Sequence, residues 1–427
     1  MLADLIAEHR VPGAVLAVYA NGEFQEHAAG VLNTRTGVEV TTDSLFQIGS
    51  ISKVWTATLA LQLVEEGKLD LDRPVRAYLP EFRLADESAA ALITTRHLLC
   101  HMAGFEGDLV TDTGRGDDAI ARYVESLAEA PQVFAPGELF SYNNAGYCVI
   151  GRIIEVLRGK PYIQCLRDHL IQPLKLTHTA TDADEAILHR AAVGHAPEPV
   201  GLWALPRSLA PAGSALTMTA RDLLTFARGH LSDDGTAVAM RAEQVHMSPI
   251  TAHGDAWALG WEVFHVGEHT IYGHNGDTIG QSAFLRLVPE RDLAVALLTN
   301  GGEGVPLHHE LFSHVLRELA GIDLPALPTP SPGPAIDASR YVGGYGNAML
   351  NITISQDESG TIWADQTGSP RFRLLPHDGD TLISAEPAQG IHRMQVFVGD
   401  DGHGRARFLH IGRALPRLPD QPLTQMS

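Results

Sequence analysis

Phe46-Gln-Ile-Gly-Ser50-Ile-Ser-Lys53-Val-Trp-Thr-Ala-Thr-Leu59 is the stretch on which the reading of this chain turns. Ser50 opens a helical run and Lys53 follows three residues later, and positions i and i+3 share a helix face. A serine hydroxyl and a lysine amine can therefore meet there, while the helix N-terminus offers unpaired amides and a positive dipole to a developing oxyanion. A weak nucleophile is activated in this way. For an isolated Ser-x-x-Lys, a capping serine beside a solvated lysine is the more economical reading. Composition weighs against it: only four of the 31 basic residues are lysines, namely Lys53, Lys68, Lys160 and Lys175. A guanidinium cannot give up its proton near neutral pH, whereas a desolvated amine can serve as a base.

Two later segments add partners. In Pro136-Gly-Glu-Leu-Phe-Ser-Tyr142-Asn-Asn144-Ala-Gly-Tyr147, a loop leads into a helix predicted over Val149 to Leu157 and can aim Tyr142 and Asn144 at one cleft. A phenol beside an ammonium can shuttle a proton, and an amide can hold a substrate carbonyl. In Ile271-Tyr-Gly-His274-Asn-Gly276-Asp277-Thr-Ile-Gly280, at the end of a predicted strand, Gly276 admits a substrate close to the backbone and the Asp277 amide is a candidate second oxyanion donor. Each segment alone also reads as an ordinary turn.

Working outward, 427 residues with 44% hydrophobic and 19% charged residues describe a globular protein of two or three units. A net charge of -20 argues against nucleic acid and anionic membranes as partners. Cys100, Cys148 and Cys165 cannot all pair and lack metal-ligand spacing, so buried thiols in a reducing compartment are expected. The charged first ten residues lack the pattern of a signal peptide, and no apolar run is long enough for a membrane helix; a cytoplasmic location is the expectation.

Leu324-Pro-Ala-Leu-Pro-Thr-Pro-Ser-Pro-Gly-Pro-Ala335 is the clearest break. Its prolines favour a stiff extended linker, dividing the chain into residues 1–323, a linker 324–335 and a second unit 336–427. In the first unit, Gly13 to Ala20 and a second extended run flank the turn Asn21-Gly22 as a hairpin, and helical patterns dominate from Ser50 to about Arg228. Trp257 to His265, Thr270 to His274, Gln281 to Val288 and Leu293 to Leu298 read as successive antiparallel strands before a closing helix, Leu307 to Leu319. After the linker, Leu350 to Ser355, Met394 to Val398 and Arg407 to Ile411 read as strands of a small β domain.

Together the three site segments resemble the penicillin-recognising serine hydrolases, which carry SxxK, then Tyr-x-Asn, then Lys-Thr-Gly or His-x-Gly in this order. Arg96-His-Leu-Leu-Cys-His101-Met-Ala-Gly104, Val64-Glu-Glu-Gly-Lys-Leu-Asp-Leu-Asp72 and Ala212-Gly-Ser-Ala-Leu-Thr-Met-Thr-Ala-Arg-Asp222 look like framing motifs of the same family, so the similarity spans roughly residues 10 to 320. The resemblance implies an α+β fold of the β-lactamase/transpeptidase type: an antiparallel sheet flanked by helices, an all-helical subdomain, and the site in the cleft between them. It implies a Ser50 acyl-enzyme, Lys53 and Tyr142 as general base and acid, Asn144 and His274 as substrate contacts, and the amides of Ser50 and Asp277, beside Gly276, as the oxyanion hole. The second unit is similar to the lipocalin-like appendage of many members, a small β-barrel. No cofactor is implied.

His274 stands where many relatives have lysine, which removes a fixed cation for a substrate carboxylate, since imidazole is largely neutral at pH 7. An ester, amide or peptide substrate, small molecule or peptide, is therefore expected in preference to a β-lactam. Acyl transfer to an amine or alcohol, or peptide cyclisation in small-molecule biosynthesis, uses the same acyl-enzyme and stays open, as does a non-catalytic binding module and any oligomeric state. A GxSxG elbow fails because Gly280-Gln-Ser282-Ala-Phe284 lacks the final glycine. No metal is expected: His309 and His314 are five apart, which turns their rings away from each other on a helix, and His97 with His101 lacks a third ligand.

Overall fold

The computed structural model describes residues 1–247, 253–331 and 336–419. The end of the proline-rich segment, 332–335, and the final residues of the second unit, 420–427, lie outside the described residues. The hairpin predicted around Asn21-Gly22 forms, with strands Gly13–Ala20 and Glu23–Asn33. It belongs to an antiparallel sheet whose described strands run in the order Val38–Glu39, Glu23–Asn33, Gly13–Ala20, Leu293–Thr299, Ser282–Val288, His269–Asp277, Glu262–Val266, Ala256–Trp257 and Val245–His246.

Period-two alternation explains how this sheet is covered on both faces. Val15, Ala17 and Tyr19 join the large core beneath the helices, while Ala14, Leu16 and Val18 join a second core against the closing helix Gly304–Ala320. The partner strand divides in the same way, Ala294, Ala296 and Leu298 to the first core and Leu293, Val295 and Leu297 to the second. One expected strand is corrected. Trp257 to His265 is interrupted at Ala258 to Trp261, where Gly260 takes φ +91°, so two strands form in place of one.

The helix Ser52–Glu65 threads the first core, with eleven of its fourteen residues buried, and the Trp55 ring stacks on Phe226 at 3.9 Å. Such burial is worth about 1.5–3 kcal/mol per large apolar side chain and fixes the helix that carries Lys53. No helix among the described residues is long and apolar enough to cross a membrane.

After residue 336 the chain forms an eight-stranded antiparallel barrel, nearly closed, in which each strand from Gly343–Gly346 to Ala414–Pro416 pairs with the next. Five of these strands, each three to five residues long, went unread in the sequence, among them Ile362–Gln366 and Thr381–Ser384. Tyr345 bridges to Arg417 across the closing seam, and Tyr345, Phe397, Ile352 and Leu409 fill the interior. The barrel's last hairpin packs on the first unit: His410 Nε2 meets Phe140 O at 2.7 Å, Tyr142 N donates to Gly412 O at 3.0 Å, and Ala414 N donates to Ser141 Oγ at 3.1 Å.

The strand His269–Asp277 lies against the turn Gly49–Ile51 at the head of the helix. A Cβ on Gly276 would fall 2.0 Å from Ile48 O and 2.9 Å from Ser50 N, so only glycine lets strand and turn approach this closely. Gly276→Ala should therefore cost about 1–3 kcal/mol of stability by overpacking against backbone. Urea denaturation followed by circular dichroism would show this as a lower midpoint with unchanged slope, and a midpoint equal to wild type would contradict the packing argument.

Candidate active site

The sequence pattern begins the helix at Ser50; in the structure Ser50 sits in a 3-10 turn, Gly49–Ile51, and the α-helix follows from Ser52. Lys53 follows in the first turn of that helix, wholly buried, with Nζ 3.1 Å from Ser50 Oγ and donating to Ala212 O at 2.6 Å. Burial pulls its pKa down to about 7, and the Arg413 cation pushes the same way against the weaker opposing pull of Cys148 and Asp108. A fraction of neutral amine is thus present at ordinary pH.

Tyr142 closes the group from the second segment. Its ring lies 4.7 Å from Lys53 Nζ. Burial pushes the phenol pKa up, while Ser50 and Arg413 oppose this, so the phenol holds its proton. The backbone around it is pinned from both sides: Asn143 caps the helix Asn144–Arg158 by accepting from Gly146 N at 2.7 Å, and Asn143 N donates to His101 Nδ1 at 2.9 Å. That helix starts five residues before the predicted one. His101, with φ +56°, packs its ring 4.3 Å from Tyr142 and lies beyond the helix Thr95–Leu99 that holds His97, so the two do not share a helical face.

The third segment arrives on the same cleft. His274 is buried, its Nδ1 against Asn275 O at 2.6 Å, its Nε2 without a hydrogen-bond partner. Burial takes its pKa down to about 4, with Glu262 opposing, so the ring is neutral at pH 7. A buried, unpaired ring nitrogen 6.3 Å (centroid to centroid) from Tyr142 is a polar atom awaiting a partner. His274 lies inside the strand rather than at its end, because the strand continues to Asp277. Asp277 N comes within 2.8 Å of the Cβ position on Gly49, next to the Ser50 amide. Asn144 opens its helix and donates Nδ2 to Asp108 Oδ1 at 3.0 Å.

All seven residues singled out in the sequence are thus gathered around one cleft. Others went unread. Arg413, from the barrel hairpin, stands 5.1 Å above the Tyr142 ring and pairs through Nε with Asp108 Oδ2. His253 stacks on the opposite part of the Tyr142 surround at 4.9 Å and bonds through Nδ1 with the fully buried Glu262 at 3.0 Å. The expectation that His274 leaves the cleft without a fixed cation is corrected in this respect: a guanidinium is present, supplied from some 270 residues away by chain. Nothing local marks it, since His410-Ile-Gly-Arg413 reads as any strand end with a turn.

Comparison with known proteins agrees with this layout. The family model Beta-lactamase matches residues 1–320. Penicillin-binding protein 4 of Amycolatopsis lactamdurans is 42% identical over 361 residues, 80% of this chain and 94% of its own length. The crystal structure of SurE superposes with a TM-score of 0.81 at 31% identity, covering 98% of this chain and 97% of SurE, and a complex of SurE with D-Leu superposes at 0.78. D-amino acid amidase from Ochrobactrum anthropi SV3, in complex with D-phenylalanine, has a TM-score of 0.59 at 25% identity over 70% of this chain and 91% of its own. A match of that extent, joined to the identity shared along nearly the whole of a penicillin-binding protein, makes this chain a member of the beta-lactamase family.

Proposed function

We propose that this protein is a serine hydrolase or acyltransferase that forms an acyl-enzyme at Ser50 from an ester, amide or peptide, with a D-configured amino-acyl group as the favoured class. The observation that carries the reading is the 3.1 Å contact between Ser50 Oγ and a wholly buried Lys53. The D preference rests on two structural neighbours, SurE in complex with D-Leu and a D-amino acid amidase.

In the proposed reaction neutral Lys53 accepts the Ser50 proton as Oγ attacks the acyl carbonyl. The amides of Ser50 and Asp277 receive the oxyanion, and the Asn144 amide and His274 Nε2 hold the rest of the acyl group. Collapse of the tetrahedral intermediate breaks the bond to the leaving group, which departs with a proton from Tyr142. Tyr142 is reprotonated from Lys53. Water then releases an acid, or an amine releases an amide, by the same steps in reverse.

Arg413 gives the transfer reading its own support. It stands over Tyr142, the acid proposed to protonate the leaving group, and a guanidinium there favours a partner carrying a carboxylate. An amino acid or peptide amine would suit the site as acceptor.

Intact-protein mass spectrometry after an activated ester and, separately, a fluorophosphonate should find a single adduct on wild type and none on Ser50→Ala. An adduct that persists in Ser50→Ala would remove the assignment. The acylation rate should fall about tenfold per pH unit below about pH 7 and level off above it, because protonation of Lys53 abolishes the base. Lys53→Arg, which cannot lose its proton, should slow acylation by roughly 10²–10⁴-fold across that range; stopped-flow rates independent of both pH and this substitution would rule Lys53 out as the base.

A further inference from the structure

Asp108 occupies a position that the reaction above does not use. Its Oδ1 accepts from Asn144 Nδ2 at 3.0 Å, and its Oδ2 pairs with Arg413 Nε. One carboxylate thus joins the first residue of the Asn144–Arg158 helix to the tip of the barrel hairpin. The Asp108 side chain is 15% exposed and that of Arg413 is 31% exposed, so the pair borders the cleft rather than the core. Among the described residues the terminal nitrogens of Arg413 make no hydrogen bond with protein. A guanidinium in ion-pair contact with Asp108 through Nε, its two terminal nitrogens unengaged, presents the fork that takes a carboxylate in bidentate fashion.

The segment is anchored independently. Glu106, buried, accepts from Asp108 N at 3.1 Å and from Asn347 Nδ2 and Ala348 N of the barrel, each at 3.5 Å. Asp108 therefore approaches Arg413 from a loop already tied to both units.

We propose that Asp108 is a positioning residue: it locks the Arg413 fork in register with Asn144, and so confers preference for a carboxylate on the leaving or accepting group. This rests on the acyl-enzyme reading above. An arginine on a hairpin tip has several rotatable bonds, and holding it in one orientation is what turns a diffuse positive potential into a directional site. Asparagine at 108 keeps the shape and an acceptor oxygen for Asn144 but carries no charge to pair with Arg413.

The test uses two esters of N-acetyl-D-phenylalanine, with 3-carboxyphenol or its methyl ester as leaving group. In each, Ser50 Oγ bonds to the acyl carbon as the aryl C–O bond breaks, and the phenol leaves with a proton. Formation of the Ser50 adduct is timed by intact mass. Wild type should favour the carboxylate ester by about tenfold or more, as one charge-assisted pair would give, whereas Asp108→Asn and Arg413→Gln should each bring the ratio below about threefold, the methyl ester serving as the uncharged reference within each variant.

A wild-type ratio near one would overturn the inference while leaving the acyl-enzyme intact, and a full ratio in Asp108→Asn would overturn it for Asp108 alone. Failure of both esters to acylate Ser50 would bring down the inference together with the proposed function. Should Asp108→Asn lose both rates, Asp108→Ser decides instead: it keeps an acceptor for Asn144 but removes the charge paired with Arg413, and an undiminished ratio there would also overturn the proposal.

Discussion

The structure depends on one ammonium group being denied water. Lys53 lies on a helix with almost no exposed face, and its pKa is brought to about 7 chiefly by that burial. The packing that achieves it is spread widely: the Trp55–Phe226 stack beneath, the Tyr142 and Tyr147 rings at 4.7 and 5.6 Å from Nζ, and the Ala212 carbonyl that takes one hydrogen. The hydrogen bond to Ala212 keeps the amine from being an unpaired buried polar group, and its lone pair is left for Ser50. An arginine at this position would keep its charge at any accessible pH. This accounts for a lysine here in a chain that otherwise uses arginine almost throughout.

The barrel, on this view, is a wall of the site. Its hairpin touches the loop 140–142 by three hydrogen bonds from or to backbone, and Gly412, with φ +85°, brings the chain so near His253 that a Cβ would sit 2.8 Å from Nε2. The interior of the barrel is occupied by its own aromatic and aliphatic side chains. What the barrel offers the cleft is therefore its rim, with Arg413 on it.

Legibility followed locality. Ser50 with Lys53, Tyr142 with Asn144, and His274 with Gly276 and Asp277 were readable because each set lies within a few residues and carries a chemical pattern. The hairpin at Asn21-Gly22 and the strand Leu293–Thr299 were readable because turn residues and alternation are properties of a short window. Arg413, Asp108, His253 and Glu262 were not, because each acquires meaning only from a contact across a long stretch of chain: Arg413 against position 142, Asp108 against Arg413. The start of the Asn144–Arg158 helix was missed for a related reason. Asn143 reads as a turn residue, and its capping of Gly146 is visible only once the helix exists.

The charge arrangement around Lys53 has its own logic. His101 and His274 both stand close enough to feel the Lys53 charge, and burial keeps both neutral, His274 with a pKa of about 4. A lysine at 274 would add an ammonium near Lys53, whose pKa Arg413 already depresses, and this second cation would drive the base still lower and weaken it. Here the cation is placed instead on the barrel rim, where Asp108 balances it: the Arg413 charge lowers the Lys53 pKa while the Asp108 charge raises it. In the proposed reaction, a carboxylate-binding charge on the rim in place of one on the strand separates two tasks that a lysine at 274 would combine, holding an anion and setting the strength of the base.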